Sequence, residues 1–257
     1  MTTHSDHRPV ETVETAIDLL GVLKQAGRTG MGVTEVATEL GLAKSTAHRH
    51  LQTLADRGLI VRAGDSYRLS SWFLDYGIHV RNQHPLYDLA RPKVDELAAE
   101  TDEKVWCVIE EDDIGVHLYG ATGKHSVTTH ARVGNRTPLH QFAAGKAILA
   151  NLPDGQIDRI IDGHGLNERT PQTITDPGEL RAELESIREQ GYALNREESV
   201  PGVHAVGAPV RDENGHAIGA ISIAGPANRL RGELLTQDLP DLLLGAVNEV
   251  EVNLAHV

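Results

Sequence analysis

The chain has 257 residues and carries 37 acidic against 24 basic side chains, a formal net charge of -13 at pH 7, with 40% hydrophobic and only 4% aromatic residues. That length holds one large domain or two ordinary ones, and the apolar content suffices for aliphatic cores, which excludes an intrinsically disordered chain. Apolar runs such as residues 147–150 fall far short of the roughly 20 residues a membrane-spanning helix needs, so a transmembrane protein is excluded. Residues 1–9 are polar and lack the apolar segment of a secretory signal, so a cytoplasmic protein with no membrane partner is expected. The single cysteine, Cys107, can form neither an internal disulfide nor a multi-cysteine zinc site and reads as a small buried hydrophobe.

Charge is unevenly distributed. Residues 1–80 carry 8 basic and 9 acidic side chains, whereas residues 81–257 carry 16 and 28, which implies two domains with different tasks. Within the first block, Lys44, Arg49, Arg57, Arg62 and Arg68 face only Asp56 and Asp65 over residues 44–68, a local net charge of +3. Polyanions are repelled by an acidic surface, so this segment is where nucleic acid docks if it docks anywhere. The basic residues comprise 18 Arg and 6 Lys, and with the acidic excess this composition suits a halophilic cytoplasm, where concentrated salt screens self-repulsion.

Val13, Ala16, Ile17, Leu20 and Leu23 repeat with helical spacing, predicting a first helix with that face buried, ending near Gly27. A Gly-rich loop over residues 28–32 follows, then a helix of about two turns carrying Val33, Val36, Ala37 and Leu40. After the turn Gly41-Leu42-Ala43, a third helix begins near Lys44-Ser45, with Ser45 capping or entering its first turn and Ala47, Leu51 and Leu54 on one face. Two short helices joined by a tight turn make a helix-turn-helix. Its second helix carries Lys44, Ser45, Thr46, His48 and Arg49 at its N-terminal end, where recognition helices meet base edges and phosphates. Apolar runs around the turn residues 63–66 predict a β-hairpin wing, on which Arg62 and Arg68 can reach a phosphate or the minor groove.

The stretch Gly41-Leu42-Ala43-Lys44-Ser45-Thr46-Ala47-His48-Arg49, with Leu54, Gly58-Leu59 and Tyr67-Arg68-Leu69, resembles the IclR family of transcriptional regulators. Further motifs occur in the family's order: Pro138-Leu139-His140, Ala144-Gly145-Lys146-Ala147-Ile148-Leu149-Ala150, Thr173-Ile174-Thr175-Asp176, Arg188-Glu189-Gln190-Gly191-Tyr192, Glu197-Glu198 with Gly202, and Ile221-Ser222-Ile223-Ala224-Gly225-Pro226.

Beyond the wing, residues 71–100 read as a helical connector interrupted at His84-Pro85 and at Pro92. Residues 105–109, 115–119 and 127–133 are β-prone and predict a meander. A helix over about 142–152 follows, then another opened by Asp176 as N-cap and Pro177 at its first position, with Leu180, Leu184 and Ile187 buried and Gly191 at its end. Residues 203–210 and 217–224 predict an antiparallel hairpin around Asp212-Glu213-Asn214-Gly215, and a helix over about 240–255 closes the chain. The fold class is α+β: a winged helix-turn-helix over residues 1–70, the connector over 71–100, and over 101–257 an α+β domain with an antiparallel sheet.

No catalytic constellation accompanies this pattern. Gly120 to His125 has the wrong spacing for a phosphate loop, Gly-x-Ser-x-Gly is absent, and the histidines fall into no metal-binding spacing. No cofactor or metal is expected. Small residues cluster at Ala143-Ala144-Gly145, at 205–208 and at 219–225, where they serve either helix-to-sheet packing or a small-molecule pocket.

The resemblance implies a GAF-like effector domain that binds small organic acids or catabolites. Carried over by motif, the effector is lined by Ser126 and Thr129 on one strand, by Ala143 and Ala144 at a helix start, and by Asn195, Val203, Ala205, Ser222 and Ala224 on the opposite strands. Asn195 stands where the family can carry an acid and Ala205 where it can carry a cysteine. It also implies dimers or tetramers, a double-stranded DNA operator and no enzymatic activity. A second reading stays open, a small-molecule sensor or enzyme domain whose N-terminal helices serve assembly alone. Melting temperature is expected to rise between about 0.1 and about 3 M KCl as self-repulsion is screened; a flat profile sinks the halophilic reading.

Overall fold

In the computed structural model, which describes residues 9–124, 126 and 131–256, the first apolar repeat folds as α1 (Glu11–Ala26). Its buried side matches the predicted one only in part: Leu23 is buried, and Ala16 and Leu20 pack against the core. Leu19, Val22 and Leu23 point inward, while Val13 and Ile17 are 54% and 61% exposed. The helix carries two overlapping apolar stripes, and periodicity alone does not say which meets the core.

The predicted loop also contains structure, because Met31–Gly32 forms a two-residue strand, β1, that pairs antiparallel with a strand of the wing. A two-residue strand has no pattern of its own and exists through its remote partner. The next elements are α2 (Val33–Glu39) and α3 (Lys44–Asp56). Ser45 enters the first turn of α3 and does not cap it; Ala43 occupies the cap position with no side-chain hydrogen bond. The wing is β2 (Ile60–Ala63) and β3 (Ser66–Leu69), turning at Gly64 with φ +64°, in a sheet of order β1-β3-β2. Leu19, Leu23, Val36, Leu51, Leu54, Ile60 and Tyr67 form the core of this unit, which ends at Val80.

The chain continues through α4 (Trp72–Asn82) and α5 (Pro85–Thr101). The break at His84-Pro85 is present, with His84 capping α5 and Pro85 at its start, but Pro92 does not interrupt the helix. Its missing N–H and ring cost α5 a hydrogen bond, yet Leu86, Tyr87, Ala90, Val94, Leu97 and Ala98 bury one face continuously across it, and that packing overrides the local preference.

The second unit is built on a six-stranded antiparallel sheet. Its strands are β4 (Lys104–Glu111), β5 (Ile114–Thr122), β6 (Arg136–Thr137), β7 (Ala193–Arg196), β8 (Val203–Arg211) and β9 (Ala217–Pro226), ordered β6-β5-β4-β9-β8-β7. Of the β-prone run 127–133, residues 127–130 lie outside the described residues and 131–133 are not a strand. The short β7 and the helix α7 (Asp154–His164) escaped the sequence patterns. Helices α6 (Ala143–Ala150) and α8 (Pro177–Gln190) join α7 on one face, packed around Trp106, Val108, Ala193 and Ala220. Asp176 caps α8 as predicted, accepting from the Glu179 N–H at 2.8 Å, and Gly191 ends it at φ +85°. On the other face, α5 and α9 (Leu239–Leu254) cover Val105, Cys107, Val206, Ala208, Ile221 and Ile223. Alternation along each strand therefore separates two aliphatic cores.

The start of α6 approaches β8 closely at Gly207, where a Cβ would fall 2.6 Å from the Ala143 carbonyl carbon and the Ala144 nitrogen. Only glycine lets the start of α6 rest on β8.

Candidate functional sites

Helix α3 presents its polar N-terminal half outward. Lys44, Ser45, His48 and Arg49 are exposed and Thr46 is half-buried, because Ala47, Leu51 and Leu54 take the inward face. Gln52 extends the exposed face by another turn, a residue the sequence reading left out although its helical spacing from His48 and Arg49 marks it.

The wing separates its two arginines. Arg62 pairs with Tyr67 and Arg68 with Val61, so the two side chains leave opposite faces of the hairpin. Arg62 joins Lys44, His48, Thr34 and Tyr67 around a cleft of about 380 Å³, whereas Arg68 faces away from it. The Arg62 guanidinium donates to the Gly64 carbonyl at 2.9 Å and lies 3.8 Å from an exposed Asp65 carboxylate. Such surface pairs are worth about 0–1 kcal/mol and yield readily to a phosphate.

On the α6 side of the large sheet, strand register assembles most of the residues predicted to line an effector site. Asn195, Ala205 and Ala224 lie side by side across β7, β8 and β9, and Ser222 pairs with Gly207 one row along. Val203 follows on the same face of β8, and Ala143 and Ala144 at the start of α6 are buried against it. Ser126 is not on a strand, because β5 ends at Thr122 and Gly123 folds tightly against Asp102. Thr129 lies outside the described residues. Two side chains the sequence reading missed belong to the same face: Lys104 shares a row with Ala224, and Trp106 shares one with Ser222. The Lys104 ammonium donates to the Thr122 hydroxyl at 2.8 Å and lies 4.7 Å from the Trp106 ring centre. Partial burial lowers its pKa from the usual lysine value.

Lys146 of the Ala-Gly-Lys motif is not a ligand group. Its side chain is 1% exposed and its ammonium lies 2.9 Å from Glu183 on α8 and 2.9 and 2.7 Å from the two oxygens of Glu198. Burial pushes the Glu198 carboxyl up, with Lys146 opposing. Thr170 and Thr173 hydroxyls donate to the backbone carbonyls of Glu197 and Glu198, holding the same segment.

Among the described residues, two histidines of this unit are buried. His117 stands edge-on to Trp106 and stacked on Phe142, with ring centres 4.9 and 5.5 Å apart, and His140 contacts the Asn167 carbonyl at 3.1 Å. Burial lowers the pKa of both, against a smaller upward pull from their backbone hydrogen bonds.

Comparison with known proteins bears on both sites. Residues 12–64 match the profile of the IclR helix-turn-helix domain, and residues 78–252 match that of the bacterial transcriptional regulator IclR C-terminal domain. The chain is 35% identical to "Probable HTH-type transcriptional regulator ArcR" of Halobacterium salinarum over 255 residues, covering 98% of this chain and 96% of that protein. The crystal structure of Thermotoga maritima IclR superposes with a TM-score of 0.80 at 29% identity, covering 95% of this chain and 98% of that one. An IclR homologue from Microbacterium hydrocarbonoxydans, solved in complex with 4-hydroxybenzoate, shares the fold at a TM-score of 0.80 and 21% identity, covering 96% and 100% of the two chains. The reading of the N-terminal helices as an assembly device alone gives way to the helix-turn-helix match.

The buried histidines set an acid limit on stability. Their folded pKa values lie below the ordinary value of about 6.5, so between the two the unfolded chain binds more protons. Their contribution is complete above about pH 6.5 and is lost as pH falls toward the folded values. Urea midpoints measured across this range should drop on acidification, and His117→Phe should flatten the slope; an unchanged slope would exclude His117 as a contributor.

Proposed function

The chain belongs to the IclR family of transcriptional regulators, with that family's helix-turn-helix DNA-binding domain and effector-binding C-terminal domain, and from that premise we propose how its residues divide the work. Helix α3 reads a pseudo-palindromic operator in the major groove. The observation that carries this is the outward cluster of Lys44, Ser45, His48 and Arg49 beside Arg62 in an otherwise acidic protein. Lys44 and Arg49 contact guanine edges or phosphates, and Ser45 and Thr46 donate to phosphates. Arg62 works on the side of the recognition helix, and Arg68, on the other face of the wing, meets a flanking phosphate.

Two half-sites require two recognition helices, hence a dimer. Exposed apolar side chains support one: Val13 and Ile17 on α1, and Trp72, Leu74, Tyr76, Ile78 and Val80 on α4, are 42–65% exposed. Isolated apolar residues are ordinary on a surface, but this many on two helices of a charged chain mark a contact face. The assembly is a dimer or, by further association of the effector domains, a tetramer. Residues 1–70 serve DNA binding, 71–100 connect, and 101–257 bind effector, in a halophilic cytoplasm consistent with the Halobacterium relative.

The effector site comprises Ser126, Thr129, Ala143, Ala144, Asn195, Val203, Ala205, Ser222 and Ala224. Backbone N–H groups at the start of α6 favour a carboxylate there, and the homologue solved with 4-hydroxybenzoate holds a ligand of that chemistry. Effector and operator then shift one another's affinity by the same factor, as linkage requires.

A genome-wide footprint of the tagged protein at native salt, with and without residues 1–70, tests the reading. Discrete peaks over an inverted repeat, lost on deletion, are expected, and their absence would overturn it. On that operator, Arg49→Ala or Lys44→Ala should cost about 1–3 kcal/mol, while Arg68→Ala should weaken all sequences alike and reduce the salt slope by about one. In sedimentation, Ile17→Glu should shift the protein toward monomer; an unaltered dimer would place the interface elsewhere.

A further inference from the structure

Asn195 carries an unmet demand at the start of α6. It is 0% exposed, and its Nδ2 donates to the Gln141 carbonyl at 3.1 Å. A carbonyl only accepts, so this bond fixes which end of the amide is which and leaves Oδ1 as a pure acceptor. That oxygen is buried and has no hydrogen-bond partner among the described residues. Buried acceptors are normally satisfied, so this oxygen is open to a donor that a bound molecule supplies.

What surrounds it defines the donor. Asn195 stands in a row with Ala205 and Ala224, whose methyl groups make no polar contact, and Ala224 is half-exposed, which opens the row to solvent. Gln141, which anchors the amide, immediately precedes Phe142, the N-cap of α6, where no side chain caps the helix. The lone acceptor is thus beside a helix start that attracts negative charge. The row carries no negative charge that would hold an ammonium, and beyond Ala224 it reaches the Lys104 ammonium, which disfavours a second cation, so the matching donor is a neutral hydroxyl.

We propose that the effector is a 2-hydroxy carboxylate, its carboxylate at the start of α6 and its hydroxyl donating to Asn195 Oδ1. The inference rests on the effector-site reading above and narrows it. A 2-oxo acid has the same carbon skeleton and charge but offers an acceptor where the site already has one. The two lone pairs then face each other and both lose water without compensation. Rotating the amide offers no escape, because it would aim Oδ1 at the Gln141 carbonyl.

Calorimetric titration of the full chain with three matched pairs tests this: lactate against pyruvate, mandelate against phenylglyoxylate, and gluconate against 2-oxogluconate. The pairs differ in bulk, so the unknown size of the site does not decide the result. The hydroxy member of at least one pair should bind about tenfold or more tightly than its oxo partner. Asn195→Leu should reduce that preference to within about threefold. Ala205→Trp, which fills the row, should abolish binding of both members. Should Asn195→Leu fail to fold, Asn195→Ala removes the same acceptor, and the preference of the unmodified protein is decisive on its own. Equal or tighter binding of the oxo acids, a preference that survives loss of the Asn195 amide, or no binding by any probe would overturn the proposal. Binding that persists in Ala205→Trp would instead remove the effector site itself from this face.

Discussion

A buried lysine holds the effector domain in register. Lys146 places its ammonium between Glu183 on α8 and Glu198 in the segment after β7, so one cation ties three parts of the layer that covers the sheet. Removing one partner of such a buried group typically costs about 3–5 kcal/mol, because the remaining charge is left desolvated. The contacts on this face of the sheet depend on that lock: Ala143 and Ala144 rest on Gly207, and Gln141 meets Asn195, only while α6 keeps its position. The lysine of the Ala-Gly-Lys motif thereby acts as a positioning group, and the glycine before it lets α6 pack against Leu139 and Phe142.

The two units solve opposite electrostatic problems. A chain of net charge -13 repels DNA, and the basic face of α3 is a local exception within that field. Phosphate contacts weaken steeply as salt rises, so in a salt-rich cell recognition must lean on base edges and groove shape. The exposed His48, Arg49 and Gln52, which stand along the helix beyond its first turn, are placed to suit that demand. In the second unit most acids stay on the surface, while the sheet face under α6 carries the small side chains Ala205 and Ala224, the neutral Asn195 and Ser222, and at its edge the Lys104 ammonium.

Much of the candidate chemistry was legible because it is local. Asp176 followed by Pro177 specifies a capped helix start wherever it occurs, and the turns at Gly64 and Gly215 specify hairpins. The polar start of α3 follows from helical spacing alone. Asn195, by contrast, looked only like a neutral replacement for an acid. Its orphaned oxygen arises from a hydrogen bond to Gln141, 54 residues away. Lys104 and Trp106 drew no notice, because only the pairing of β4 with β9 brings them beside Ala224 and Ser222.

By itself the sequence determined the two-domain division of charge, the helix-turn-helix with its wing, and the antiparallel hairpins of an α+β domain, because periodicity, caps and turns act within a few residues of the chain. Tertiary structure decided which of two apolar stripes on α1 is buried, whether Pro92 breaks α5, that β1 and β7 exist, and that Arg62 and Arg68 part company. Each of these depends on a partner distant in sequence. An amphipathic stripe, a two-residue strand or a strand face has no preferred side until another surface supplies one, and packing energy then outweighs local propensity.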